Sequence, residues 1–239
     1  MKWITKENIA ECIFPKVRNK VCHGDTLREE KIMDNETLEF QAVQEIARND
    51  IAVEVIRKLI SNTGKSDKTI EMLQKLVVSL NWNNSHRLYS DIELYFNNEK
   101  VMTCREICEG IKANMTEDFI NDIKTVTDSY DTEWQQMIVI AVLIGRLIKS
   151  LDWTSKPSRK IAQTYSKQSL MTCEEVCDSI ISAVDYELQK PIKDDIISEV
   201  IKTMGDNFSP AKASEISFRH FEKTYPGFEK FLKQWIGEE

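Results

Sequence analysis

Residues 101–111 read VMTCREICEGI, and residues 170–180 read LMTCEEVCDSI. Met, Thr, Cys, Glu and Cys recur at matching positions in the two strings. Ahead of them LVVSLNW at 76–82 is matched by LIKSLDW at 147–153, in the same order. Two matched blocks, each about 70 residues from its counterpart, mark an internal repeat. The unit this predicts is SLxW, a short helix, MTCxExC opening a longer helix, then two further helices. One copy covers 79–149. The other opens at 150 and, with C-terminal helices, reaches 239; residues 1–78 form an N-terminal helical segment. The three segments are equally compatible with one continuous domain.

The recurring string reads as a helix start. With Thr103 as N-cap, its hydroxyl accepts from the amide three residues on, and Glu106 reaches back to the amide of the cap. Met102 and Ile107 then occupy the two positions of a hydrophobic staple. Thr172, Glu175, Met171 and Val176 repeat the arrangement. Three of the five recurring positions, Met, Thr and Glu, are thereby explained by helix initiation alone.

Helical spacing dominates elsewhere. Ile51, Val55, Ile56, Leu59 and Ile60 lie on one helical face, as do Ile70, Leu73, Leu76, Val77 and Leu80. Further helices are expected over 116–128, 132–151, 173–187, 192–204, 210–224 and 228–236. Pro191 and Pro210 suit first helical turns, where a missing N–H is no loss, and Gly205 suits a helix stop. Seven glycines and five prolines leave few tight turns, and strand-like alternation is scarce. The apolar run MIVIAVLIG at 137–145 is too short to span a bilayer, which needs about 20 residues, and reads as the central helix of a packed core. The fold class expected is all-α, a duplicated multi-helix unit arranged as a helical bundle or short α-solenoid.

Bulk properties narrow the function. The net charge of -7 is spread along the chain, which argues against broad coating of nucleic acid, since that requires a positive field. The first residues, MKWITKENIAECIF, lack the apolar stretch of a secretory signal, so reduced thiols and a cytoplasmic location are expected, with no membrane. No Walker loop, dinucleotide fingerprint, HExxH, GxSxG or calcium loop occurs, and no cofactor is expected. The tail FRHFEKTYPGFEKFLKQW at 218–235 interleaves aromatics with Arg219, Lys223, Lys230 and Lys233. It reads as the core face of two short helices joined at Pro226-Gly227.

The cysteines are the part of the repeat that helix initiation leaves unexplained. Cys104/Cys108 and Cys173/Cys177 are each spaced i, i+4, which places both thiols of a pair on one helical face. Packed face to face, the two copies would bring four thiolates to a tetrahedral zinc ion, making these the candidate metal ligands. Against this stands the behaviour of free cysteine as a small apolar core residue.

A second candidate site lies at Arg18-Asn19-Lys20-Val21-Cys22-His23-Gly24. The string resembles the signature of the HEPN superfamily of all-helical ribonucleases: an arginine, a polar residue, and a histidine a few positions later. The resemblance implies Arg18, Asn19 and His23 as catalytic residues of a metal-independent endoribonuclease, of a toxin or antiviral defence system. His23 would manage the proton of a 2′-hydroxyl attacking the adjacent phosphate, and Arg18 would stabilise charge on that phosphate. It also implies an RNA substrate and a homodimer, because such sites assemble from two motifs. The reading favoured by the whole chain is a protein without catalysis, acting through a protein partner over the extended surfaces that stacked helical units present.

Overall fold

A computed structural model describes residues 35–61, 66–82, 100–153, 170–204 and 209–236, with side chains between 43 and 233. The described residues are overwhelmingly helical. Its described elements are α1 (Asn35–Ser61), α2 (Ser66–Ser79), β1 (Val101–Thr103), α3 (Cys104–Asn114), α4 (Glu117–Ser129) and α5 (Glu133–Ser150). These are followed by β2 (Leu170–Thr172), α6 (Cys173–Gln189), α7 (Lys193–Met204), α8 (Pro210–Thr224) and α9 (Phe228–Ile236). Contacts divide the chain into two compact units, one of them Glu39–Glu187 and the other containing Leu188–Glu239. Helix α6 runs across the boundary, so β2 and most of α6 belong to the Glu39–Glu187 unit.

In the Glu39–Glu187 unit, α5 is the central helix that its apolar run predicts. Met137, Val139, Ile140, Ala141, Leu143, Ile144, Leu147 and Ile148 are all buried, on more than one face. A helix apolar nearly all round must be enclosed by neighbours. Helix α4 packs against it through Phe119, Ile123 and Val126, and α3 against both α2 and α5. Gln136 ties the α4–α5 connection by donating its amide to the carbonyls of Thr127 (3.2 Å) and Tyr130 (2.6 Å). Helix α1 contributes Ala52, Val53, Val55, Ile56 and Leu59, while Ile51, expected on that face, is exposed. Arg57 of α1 bridges Glu133 at 2.5 Å and Glu187 at 2.9 Å, linking α1 to the start of α5 and the end of α6.

The second unit is a small helical assembly in which α7 packs on α8. Its helix ends follow local chemistry. Ser209 caps α8, accepting from the Lys212 amide, with Pro210 at the first helical position as expected. Pro191 instead lies in the turn before α7, two residues ahead of its start, and Gly205 lies outside the described residues. The turn between α8 and α9 holds Gly227 at φ +82°, a left-handed conformation that glycine adopts without steric penalty. The Glu222 carboxylate accepts from the amides of Gly227 and Glu229, both at 2.8 Å, closing that turn. Phe221 and Phe228 stack with centroids 5.0 Å apart, and the Tyr225 hydroxyl donates to the Leu188 carbonyl at 2.8 Å. The aromatic tail is thus the core of this unit.

The sequence suggests no strand, yet β1 and β2 form an antiparallel ribbon. Val101 pairs with Thr172, Met102 with Met171, and Thr103 with Leu170. Each strand has three residues and runs directly into a capped helix. Alternation over so short a segment carries no detectable period.

Candidate functional site: the paired helix starts and their cysteines

The two recurring strings meet each other. Register places Met102 opposite Met171, so the ribbon is symmetric about its central pair and each copy faces its own counterpart. Both methionines are buried, as are Ile107 and Val176 at the other staple positions.

The helix starts match bond for bond. Thr103 N–H donates to Glu106 Oε2 at 2.8 Å, and Glu106 N–H donates to Thr103 Oγ1 at 3.2 Å. Thr172 and Glu175 repeat both bonds at 2.8 and 3.1 Å. The SLxW corners match as well. Ser79 and Ser150 hydroxyls donate to the carbonyls of Leu76 and Leu147, both at 2.7 Å. The indole N–H of Trp82 donates to the Val77 carbonyl at 2.7 Å, and that of Trp153 to the Ile148 carbonyl at 2.6 Å. The Val77 and Ile148 carbonyls also accept from the amides of Leu80 and Leu151, both at 3.2 Å, so each tryptophan adds a second donor at a helix C-terminus. The recurring Ser, Leu and Trp are therefore a helix-end device, as the recurring Met, Thr and Glu are a helix-start device.

Within each pair the two cysteines stand one helical turn apart on one face, Cys104 and Cys108 in α3 and Cys173 and Cys177 in α6. The neighbouring Cys108 thiol holds the Cys104 thiol below the usual thiol range, against the opposing effect of burial. Cys108 is pushed upward chiefly by the neighbouring Cys104, then by burial and by the charge of Glu109. Cys173 is likewise lowered, chiefly by Cys177, with Lys149 assisting, and Cys177 is raised. Burial and the neighbouring Glu174 also raise the Asp178 carboxyl, which Lys149 counteracts. Cys104, Cys108 and Cys173 are half-buried, and Cys177 is buried against α5.

The four thiols do not gather at one ion. Antiparallel pairing sends α3 from one end of the ribbon and α6 from the other, so Cys104 and Cys173 stand about 13 Å apart along the strand direction at about 3.3 Å per residue. A tetrahedral zinc site needs all four sulfurs at about 2.3 Å from the metal. Among the described residues no group of three or more His, Cys, Asp or Glu is placed to hold a metal. Of the two uses open to these cysteines from their spacing, convergence of all four on one zinc ion is not the arrangement of the described residues.

Another polar cluster joins α7 and α8. Glu199 Oε2 lies 2.8 Å from His220 Nε2, and Glu199 Oε1 lies 2.8 Å from Arg219 Nη2. The His220 bond, followed by the Arg219 charge, holds the Glu199 carboxyl below the usual range. Sequence reading passes over this cluster because its members are about twenty residues apart and share no motif. Arg18, Asn19 and His23 lie outside the described residues. Comparison of the chain with protein-family models, curated proteins and solved structures finds no match.

Proposed function

We propose that this chain acts by binding another macromolecule, a protein before any other class, on a scaffold made of a duplicated multi-helix unit. The observation that carries the reading is the outer face of α7. Ile197 and Ile201 stand one turn apart, 37% and 66% exposed, on a helix whose opposite face buries Ile196, Val200 and Met204. Neighbouring apolar side chains left in water at i, i+4 form the contact pattern by which helices engage partner grooves. No described helix is long and apolar enough to cross a membrane, which leaves protein contact as the simpler use of this face. A cytoplasmic setting fits the four reduced thiols.

The test is affinity capture from the source cell with the wild-type chain and with Ile197→Glu/Ile201→Glu. The reading expects a stoichiometric protein partner that the double variant loses while its melting temperature is unchanged. Equal capture by both chains would remove α7 as the contact face, and capture of nothing by the wild type would remove the reading.

A second reading rests on the string Arg18-Asn19 to His23-Gly24 and its likeness to HEPN ribonucleases. It expects RNA cleavage that persists in EDTA and disappears in His23→Ala. Wild-type chain inert towards several RNAs excludes it.

A further inference from the structure

Resting on the reading of α7 as a contact face, we propose that its occupant is a second copy of this chain, packed so that two α7 helices meet antiparallel across a two-fold axis. The order of residues along the helix carries the inference. Asp194 and Asp195 lie in the first turn of α7 and Lys202 in the last. At about 100° per residue, all three fall on the same side of the Ile197–Ile201 stripe, with Ser198 between them. All four polar residues are exposed. A face that is acidic at its start, apolar at its middle and basic at its end is complementary to its own reverse. None of these residues belongs to the Arg18–His23 string.

Helix geometry gives the register. With the axis midway along the isoleucine pair, Ile197 lies level with the partner's Ile201, and symmetry makes the reverse contact. Four isoleucine side chains then cluster about the axis. Asp195 comes within one residue of level with the partner's Lys202 and Asp194 within two, offsets of about 1.5 and 3 Å along the helix. Each of these charge contacts occurs twice. Lys193, on the other flank, falls about 18 Å along the helix from its counterpart, well beyond the screening length of physiological salt. Antiparallel packing also sets the positive end of one helix dipole beside the negative end of the other. A partner of unlike sequence would have to supply a basic and an acidic end in this order; a second copy already does. Two exposed isoleucines a side make a small interface, and a net charge of -7 repels copies at long range. The dimer is accordingly weak, with a dissociation constant of about 10–100 µM.

The test is sedimentation velocity of the full-length chain from about 1 µM to about 500 µM, a range that brackets the expected constant. Wild type should pass from monomer to dimer, and Ile197→Glu/Ile201→Glu should stay monomeric throughout. Asp194→Lys/Asp195→Lys and Lys202→Glu should each weaken self-association by about tenfold or more, because every reversed charge acts twice in a symmetric dimer. An equal mixture of these two charge variants should dimerise again, since each supplies the charge that the other has reversed. Damage to the helix in either variant would not produce that recovery, and circular dichroism checks that both keep their helices. A wild type that stays monomeric, a dimer that survives Ile197→Glu/Ile201→Glu, or a mixture of folded charge variants that stays monomeric overturns the proposal. A monomeric wild type that captures a different protein through Ile197 and Ile201 overturns only the second copy as occupant and leaves the contact-face reading standing.

Discussion

The two copies of the MTCxExC string make the same bonds at their own helix starts but meet different partners. The difference traces to one position. Gln74 in α2 and Gly145 in α5 each stand eight residues before the tryptophan of their SLxW corner. Gln74 reaches across to α3 and donates to the Cys108 carbonyl at 3.1 Å. Gly145 presents no side chain, and Cys177 of α6 comes to 3.8 Å from its carbonyl. The first copy is bridged by an amide and leaves Cys108 half-exposed. The second closes up and buries Cys177 to 3%. Repeated local chemistry secures helix ends, while a single unrepeated residue decides how closely the helices approach.

Exchanging that residue is the strongest way to break the comparison. Gly145→Gln places a long polar side chain where Cys177 packs, and should destabilise by about 2–3 kcal/mol through overpacking. Gly145→Ala is different in sign. Its Cβ would sit 3.9 Å from Cys177 Sγ, an ordinary contact, so a gain of about 0.5–1 kcal/mol from helix propensity is expected. Urea unfolding measures both; a tolerated glutamine would show that glycine is not what closes the second copy.

The tryptophan corners come next. Trp153 is buried and Trp82 only partly so, though their indole bonds are alike. Trp153→Phe should cost about 1–1.5 kcal/mol and Trp82→Phe about 0.5 kcal/mol: the carbonyls keep the Leu151 and Leu80 amides, and water replaces the lost indole donor only at the partly exposed corner. Equal losses on thermal unfolding would mean that burial does not separate the corners.

Helix caps offer a smaller contrast. Thr103 is buried at 5% exposure and Thr172 is half-exposed. Both Thr→Ala changes should cost about 1 kcal/mol, with Thr103→Ala the larger. Glu106→Gln should be nearly silent, since glutamine also completes a capping box.

The smallest effect compares helix pairs. The α4–α5 connection is held by the neutral amide of Gln136, and α7–α8 by the charged cluster around Glu199. Because the folded state lowers the Glu199 pKa, its contribution is complete above the usual glutamate value of about 4.5 and fades as pH falls through the lowered one. Melting temperature measured from pH 5 down to pH 3 should therefore fall less steeply in His220→Gln than in the wild type. Identical slopes would assign acid sensitivity elsewhere.

Local signals in the sequence mark helix ends where they are complete. Helices α8 and α9 fall on their expected bounds, because a serine cap with a following proline and a Pro-Gly turn mark the ends chemically. Helices α4 and α5 lie within one residue of expectation for the same kind of reason: a full apolar period between caps. The capping boxes were legible because all their atoms lie within four residues. The ribbon, the Cys177–Gly145 approach and the Glu199–His220 pair were not, since each joins residues distant in the chain whose meeting depends on helix packing.

By itself, then, the amino-acid sequence determined the helical class, the central position of α5 and the chemistry of the repeated helix ends. Those follow from periodicity and from hydrogen bonds that close within a turn. Tertiary structure decided that the two MTC segments pair antiparallel, which sets Cys104 and Cys173 apart along the strand direction. Strand direction is set by how the intervening helices return the chain, and no residue within either string encodes it.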